Sequence, residues 1–206
     1  VLTGDGSTYV VFTPFRRRWS ARLEPAMTRP RGRPSPQPRP DVRSDPLPAL
    51  PSDFRSDVPA ELWPGGEREA ARRLERFAAQ ALGDYDALRD YPAREGTSRL
   101  SAYLSVGAVS PRQCLARALE ANEGRLDGGA PGPVAWIGEL VWREFYRHVV
   151  AAFPHVSKGF AFRRAYDSVA WRHDPEGLAA WREGRTGVPI VDAAMRQLDA
   201  VGWMHR

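Results

Sequence analysis

The sequence predicts a mainly α-helical fold. Three observations carry this expectation. Apolar residues recur at helical spacing through most of the chain after residue 60, several of those stretches open on Pro or Ser-Pro and close near Gly, and no stretch beyond residue 13 alternates apolar and polar side chains as a half-buried strand does.

Taken in order, Val1 to Thr3, the Gly4-Asp5-Gly6 turn and Tyr9 to Thr13 predict a short N-terminal β-hairpin, after which the basic and aromatic Pro14 to Trp19 segment starts a short helix. From Pro25 to Pro51 nine prolines stand among arginines and serines without apolar periodicity, so residues 25–60 cannot build a core and read as an extended linker. Its arginines leave a second reading open, a DNA-binding arm. Residues 61–206 then form a helical domain. Glu67 to Leu82 repeats Ala71, Leu74, Ala78 and Ala81 or Leu82 at helical spacing, and Tyr85 and Leu88 continue the stripe. Ser110-Pro111-Arg112-Gln113 combines an N-cap, a first-turn proline and a capping-box glutamine, and predicts a helix running to Asn122. Gly124 to Pro133 predicts a loop, and a helix follows from about Val134 to Ala152, ended by Pro154. Pro175 starts the helix that carries Leu178 and Trp181. Gly187-Val188-Pro189 resets the chain for a last helix, Ile190 to Ala200, closed by Gly202.

Composition narrows the function classes. The net charge is +5 with an isoelectric point near 9.9, and every basic residue except Lys158 is arginine. Arginine grips phosphate bidentately and stacks on rings, which suits nucleic acid, although the coding bias of a GC-rich genome accounts equally for this excess. A single cysteine, Cys114, excludes a disulfide framework, and no apolar run approaches the ~18 residues of a membrane span. The expectation is a cytoplasmic protein. A start on Val1 inside a hairpin and a stop just after an aromatic cluster read as the ends of an excerpt.

Candidate chemistry concentrates in two places. On a helix at roughly 100° per residue, Ile137, Val141, Phe145 and Val149 share an apolar arc, and Glu139, Trp142, Arg143 and Tyr146 lie nearly opposite. A carboxylate, an indole, a guanidinium and a phenol on one stripe suit a surface that holds a flat polar ligand. The alternative is an interhelical contact with a Glu139–Arg143 pair one turn apart. The second place is Glu95-Gly96-Thr97-Ser98-Arg99-Leu100-Ser101, where a glycine turn, three hydroxyls and an arginine meet at a helix start. That combination makes a phosphate cradle or merely a helix cap. His148, His155, His173 and His205 have no metal-ligand spacing, and no nucleophile elbow, Walker loop or dinucleotide fingerprint occurs, so metal, hydrolytic and nucleotide-triphosphate chemistry are unsupported. Seven tryptophans, most of them expected in the core, also suit stacking and electron transfer around a redox ring cofactor.

Three segments carry a resemblance: Gly96 to Ser101 with Leu104 and Ser110 to Gln113; Glu139 to Tyr146; and Glu183 to Leu198 with Gly202-Trp203-Met204-His205. In order and spacing they resemble the flavin domain of the DNA photolyase and cryptochrome family, closest to its class I branch that repairs cyclobutane pyrimidine dimers. Residues 1–24, with Phe12-Thr13-Pro14-Phe15, resemble the tail of that family's α/β antenna domain. The resemblance implies an incomplete flavin domain over residues 61–206. Tyr85, Thr97, Ser98, Arg99, Leu100, Ser101, Trp136, Glu139 and Arg143 would bind FAD. Arg89, Trp142, Arg143, Glu144, Phe145 and Tyr146 would meet damaged DNA. Glu139 and Trp142 would be catalytic, with Trp142 stacking on a flipped-out dimer and Glu139 hydrogen-bonding its carbonyl or imide edge, while light-excited reduced FAD would supply an electron that returns once the ring has split. Trp171 matches the outer member of the tryptophan chain that reduces the flavin.

The resemblance further implies a monomer, associated with the bacterial nucleoid, whose parent carries a folate or deazaflavin antenna chromophore outside this segment. One departure stands out. Where the family runs Trp-Met-His-Asn-Arg, this chain has Arg206 directly after His205, so the asparagine expected against the flavin ring is either missing or lies outside an edited end. Weak FAD binding by the chain alone is the expectation. A cryptochrome-type photoreceptor and a catalytically dead fragment are the alternatives.

Overall fold

The computed structural model describes residues 1–32, 34–38, 40–46, 48, 49, 51 and 57–205. They fall into two compact units, one formed by residues 1–30 and 65–173 and the other by residues 31–64 and 174–206. The fold is mainly helical, as the periodicity predicts.

The first unit carries α1 (Phe12–Arg22), α2 (Pro25–Thr28), α3 (Glu67–Gln80), α4 (Tyr85–Leu88), α5 (Ser101–Ser105), α6 (Pro111–Ala121) and α7 (Pro131–Ala152), followed by 3-10 turns at Pro154–Lys158 and Arg164–Ser168. α7 is its axis, with α1, α4 and α6 packed against it, while α2 and α3 pack on α6. The core gathers Phe15 of α1, Leu74 and Phe77 of α3, Cys114 and Leu115 of α6, and Trp136, Ile137, Leu140, Val141 and Phe145 of α7.

The expected N-terminal hairpin does not form. Leu2 and Thr8 make one antiparallel bridge across the glycine turn, with the Thr3 N–H donating to the Ser7 carbonyl at 3.0 Å, but no strand is built among the described residues. A lone two-stranded ribbon is at best marginal without a further strand or a helix on its apolar face, and here Val10 and Val11 stay exposed and Phe12 already begins α1.

Helix starts follow their local chemistry. At α6 both halves of the capping box form: Ser110 Oγ accepts from the Gln113 N–H at 3.2 Å, and the Gln113 side chain accepts from the Ser110 N–H at 2.8 Å. α7 begins at Pro131, earlier than expected, because prolines in a first turn give up N–H groups that have no intrahelical acceptor there. Gly132 also meets the chain end of α3 closely, since a Cβ at this position would lie 2.2 Å from the Leu82 carbonyl oxygen. The buried Asn122 fixes the loop between α6 and α7. Its amide donates to the Arg125 and Gly128 carbonyls at 2.6 and 2.9 Å, and its oxygen accepts from the Ala130 N–H at 2.8 Å.

The buried stripe of α3 is rotated by one residue from the expected one. Ala70, Leu74 and Phe77 face inward while Ala71 is exposed, because the phenyl ring of Phe77 sets the register against Tyr85 and Trp136. Arg73 shares that inner face, its guanidinium held by Glu69 at 2.7 Å and lying over the Tyr103 ring.

The second unit holds a 3-10 turn at Ala60–Leu62, α8 (Pro175–Arg182) and α9 (Pro189–Val201), with α8 packed on α9. Asp192 ties the turn before α9, accepting from the Thr186 hydroxyl at 2.6 Å, the Thr186 N–H at 2.7 Å and the Gly187 N–H at 3.0 Å. These donors, the Thr186 hydroxyl foremost, hold its carboxyl below the usual carboxylate range. Gly202 ends α9 in the left-handed conformation, as expected, and Trp63 Nε1 donates to the Val201 carbonyl beside it. Part of the expected linker over 25–60, and Arg206, lie outside the described residues. Among the described residues no helix is long and apolar enough to cross a membrane.

Candidate functional site

α7 builds the site. Its buried arc holds Ile137, Val141 and Phe145 together with Trp136 and Leu140, so the 22-residue helix is anchored along most of its length. On the other side Glu139, Trp142 and Arg143 are half-buried and Tyr146 is exposed. Glu139 Oε1 accepts from Arg89 Nη1 at 2.7 Å, the two side chains being about one-third exposed. Arg89 stands at the C-terminal end of α4, so Glu139 is paired across helices with Arg89 rather than with Arg143 one turn along its own helix. Arg143 reaches the Leu104 carbonyl at 3.5 Å and lies 3.7 Å from Glu144, and its Nη1 is buried without a hydrogen-bond partner.

Trp142 is set in a ring cluster. Phe12 lies flat on the indole, with ring centroids 3.5 Å apart and planes 5° from parallel. Tyr146 is stacked at 5.6 Å and 23°, and Phe145 meets both Trp142 and Phe12 edge-on.

The glycine turn packs against the end of α4. Gly96 is buried against Leu88, where a Cβ would come within 2.6 Å of the Leu88 Cβ, so the turn can approach only without a side chain at that position. Arg99 takes a left-handed φ of 50° and is held by Glu95 at 2.6 Å. Ser98 Oγ accepts a long bond from the Leu100 N–H. Helix α5 starts only at Ser101 and has no side-chain cap, so the hydroxyls of Thr97 and Ser98 precede the helix and are left for other partners. Thr97, Ser98, Arg99 and Glu95 line a cavity of about 400 Å³ together with Arg73, Arg76 and Phe77 of α3. The arginines of α3 were not singled out from the sequence, where α3 reads as a packed wall. Their spacing of three residues on the helix that leads to this turn is the signal that points to them.

The remaining candidates separate. Tyr85 and Trp136 are buried, Tyr85 edge-on to Phe77 and Trp136 tilted against the same ring, so both back the cavity wall through Phe77. The Leu100 side chain is buried and Ser101 is exposed. The Phe145 ring belongs to the core, and Glu144 lines a different groove with Trp19, Leu140 and Arg147. Trp171 is 86% exposed beside Val169 and Tyr166. Cys114 is fully buried in α6, and burial pushes its thiol up to about 12, against the opposing pull of Arg143.

Comparison with known proteins places this arrangement. Residues 136–206 match the family described as the FAD binding domain of DNA photolyase. The deoxyribodipyrimidine photo-lyase of Escherichia coli is 45% identical over 206 residues, covering all of this chain and 43% of that protein, and the one of Neurospora crassa is 36% identical over 98% of this chain and 35% of its own length. Among solved structures, a bacterial class III photolyase from Agrobacterium tumefaciens superposes over the whole chain with a TM-score of 0.79 at 34% identity, covering 42% of that chain. A cryptochrome from Synechocystis is more distant, with a TM-score of 0.66 at 26% identity over 81% of this chain. The chain spans less than half the length of the relatives it matches. Residues 136–206 thus match the FAD-binding domain of the DNA photolyase family, and along its whole length the chain is similar to part of deoxyribodipyrimidine photolyases.

Proposed function

We propose that this chain is part of a deoxyribodipyrimidine photolyase, an enzyme that uses light to split cyclobutane pyrimidine dimers in DNA. The observation that carries the reading is the pair on α7, a Glu139 carboxylate oriented by Arg89 one turn from the Trp142 indole, in a chain 45% identical along its length to a protein of that name. In this reading residues 1–24 end an antenna domain, residues 25–60 connect it, with α2 at their start packed on α6, and residues 61–206 belong to the flavin domain. The protein acts as a cytoplasmic, nucleoid-associated monomer on damaged DNA, and its parent carries a folate or deazaflavin antenna.

The residues present fit FAD. The cavity between α3 and the Gly96 turn offers arginine and hydroxyl donors of the kind a diphosphate needs, with Thr97, Ser98 and Arg99 as its holders, Ser101 at the helix start beyond its lining, and Tyr85, Leu100 and Trp136 supporting the wall behind. Were FAD bound in its reduced form, it would lend on excitation the electron that opens the dimer and take it back once the two ring bonds have split. The protein's own part is recognition. A dimer stacks poorly in its duplex, so it leaves the helix more cheaply than an intact pair, and an aromatic wall rewards its arrival. Trp142 gives that wall, and Glu139 accepts a hydrogen bond from the imide N–H of the lesion. Arg89 holds the carboxylate in place from α4, and Arg143 and Tyr146 meet the flanking backbone, with Glu144 and Phe145 setting their stretch of helix. Trp171, exposed as an outer electron relay must be, passes electrons inward from solvent reductants.

A light-dependent repair assay on dimer-containing oligonucleotides with the full-length protein tests the reading. Blue light is expected to remove dimers, and Glu139→Ala to lower the repair yield while flavin absorbance is retained. No dimer loss under light refutes the activity and favours a photoreceptor. Equal repair by the Glu139 variant refutes that residue's role.

A further inference from the structure

We infer that Phe12 is a positioning residue for Trp142, holding the indole plane in the orientation in which it receives a flipped base. The inference rests on the function proposed above.

Phe12 is the first residue of α1, far from α7 in sequence, yet its ring lies 3.5 Å from the Trp142 ring and within 5° of parallel. Such a face-to-face overlap is not needed to fill space. Phe15, one turn further along, already anchors α1 on α7 through its buried contact with Phe145 and its ring contact with His148. A half-buried tryptophan on a helix surface otherwise has rotamers open to it, and ordering it on ligand binding costs affinity. Phe12 removes that freedom in advance. Phe145, edge-on to both rings, closes the second side of the corner, and Tyr146 the third, so the indole is held by neighbours from two helices. Aromatic pairs of this kind prefer offset or edge geometry when left to themselves, so a nearly parallel stack set between two helices is imposed by the backbone.

Two measurements on the full-length protein test this. With 5-fluorotryptophan labelling and the Trp142 line assigned by Trp142→Phe, Phe12→Leu is expected to shift and broaden that ¹⁹F resonance, and Phe12→Tyr to restore a sharp line. An unchanged line in Phe12→Leu overturns the inference. In binding, the preference for dimer-containing over undamaged oligonucleotide is expected to fall by roughly three- to tenfold in Phe12→Leu, with undamaged-DNA affinity unchanged, and to return in Phe12→Tyr. On a Trp142→Ala background the same change has no further effect. A stronger preference in Phe12→Leu overturns the inference by making Phe12 an occupant of the base's place. A wild type without any preference refutes the function reading and this role with it, whereas a wild-type preference that survives Phe12→Leu refutes the positioning role alone.

Discussion

Asn122→Ala removes one small side chain and is expected to loosen the start of α7 more than any other single truncation outside the apolar core. The Asn122 amide satisfies two carbonyls and one N–H of the loop that ends at Ala130, and the residue is only 2% exposed. Three hydrogen bonds at about 1 kcal/mol each give a loss of about 3 kcal/mol, since water reaches the abandoned groups poorly. With a urea dependence of about 2 kcal/mol per molar for a chain of this size, the unfolding midpoint falls by roughly 1.5 M with an unchanged slope. Asn122→Asp makes the sign of the argument visible. It keeps the acceptor for Ala130 but turns an anion on two carbonyl oxygens, so its folded-state pKa is raised and its stability recovers as pH falls and the carboxyl gains a proton. A midpoint change below about 0.3 M in Asn122→Ala would falsify the view that this side chain organises the loop.

Three further outcomes follow from the geometry. Glu69, bonded to Arg72 first and Arg73 second, has its carboxyl lowered to about 2. Its stabilising contribution is therefore present above the ordinary carboxylate range and lost as pH falls towards about 2, and an acid-unfolding series in which Glu69→Gln shows the same acid limb as wild type would contradict this. Cys114, buried with its thiol pushed up to about 12, should resist a thiol reagent at pH 8 in the native protein and react fully only with denaturant present, a contrast read by mass spectrometry. Gly132→Ala places a methyl group 2.2 Å from the Leu82 carbonyl oxygen and should cost about 2 kcal/mol, seen as a drop in melting temperature, and an unchanged melt would show that the backbone yields there.

The helices were legible because their signals are local. Ser110 to Gln113 spells out its capping box, and Gly202 marks the end of α9, each by chemistry contained within a turn. The first strand-like segment misled for the complementary reason: alternation in Val1 to Thr13 promises a strand only if a neighbour pairs with it, and Phe12 finds α7 instead. The site was half legible. Glu139 and Trp142 share a face by helix geometry alone, but the partners that orient them, Arg89 and Phe12, come from distant segments and follow from packing that no periodicity encodes. The same holds for Arg73 and Arg76, whose cavity exists only because Gly96 lets the turn close on Leu88.

On the function proposed above, Arg99 sets stability and binding against each other at one position. Its φ of 50° is a conformation that glycine occupies freely and a side-chain-bearing residue holds at a cost of about 1 kcal/mol, so replacement by glycine is the change that selection for thermal robustness alone would choose. The same change would erase the guanidinium from the cavity wall. Consensus-guided stabilisation of this protein would therefore have to exempt this residue, and a lineage that had given up its ligand would be free to drift there.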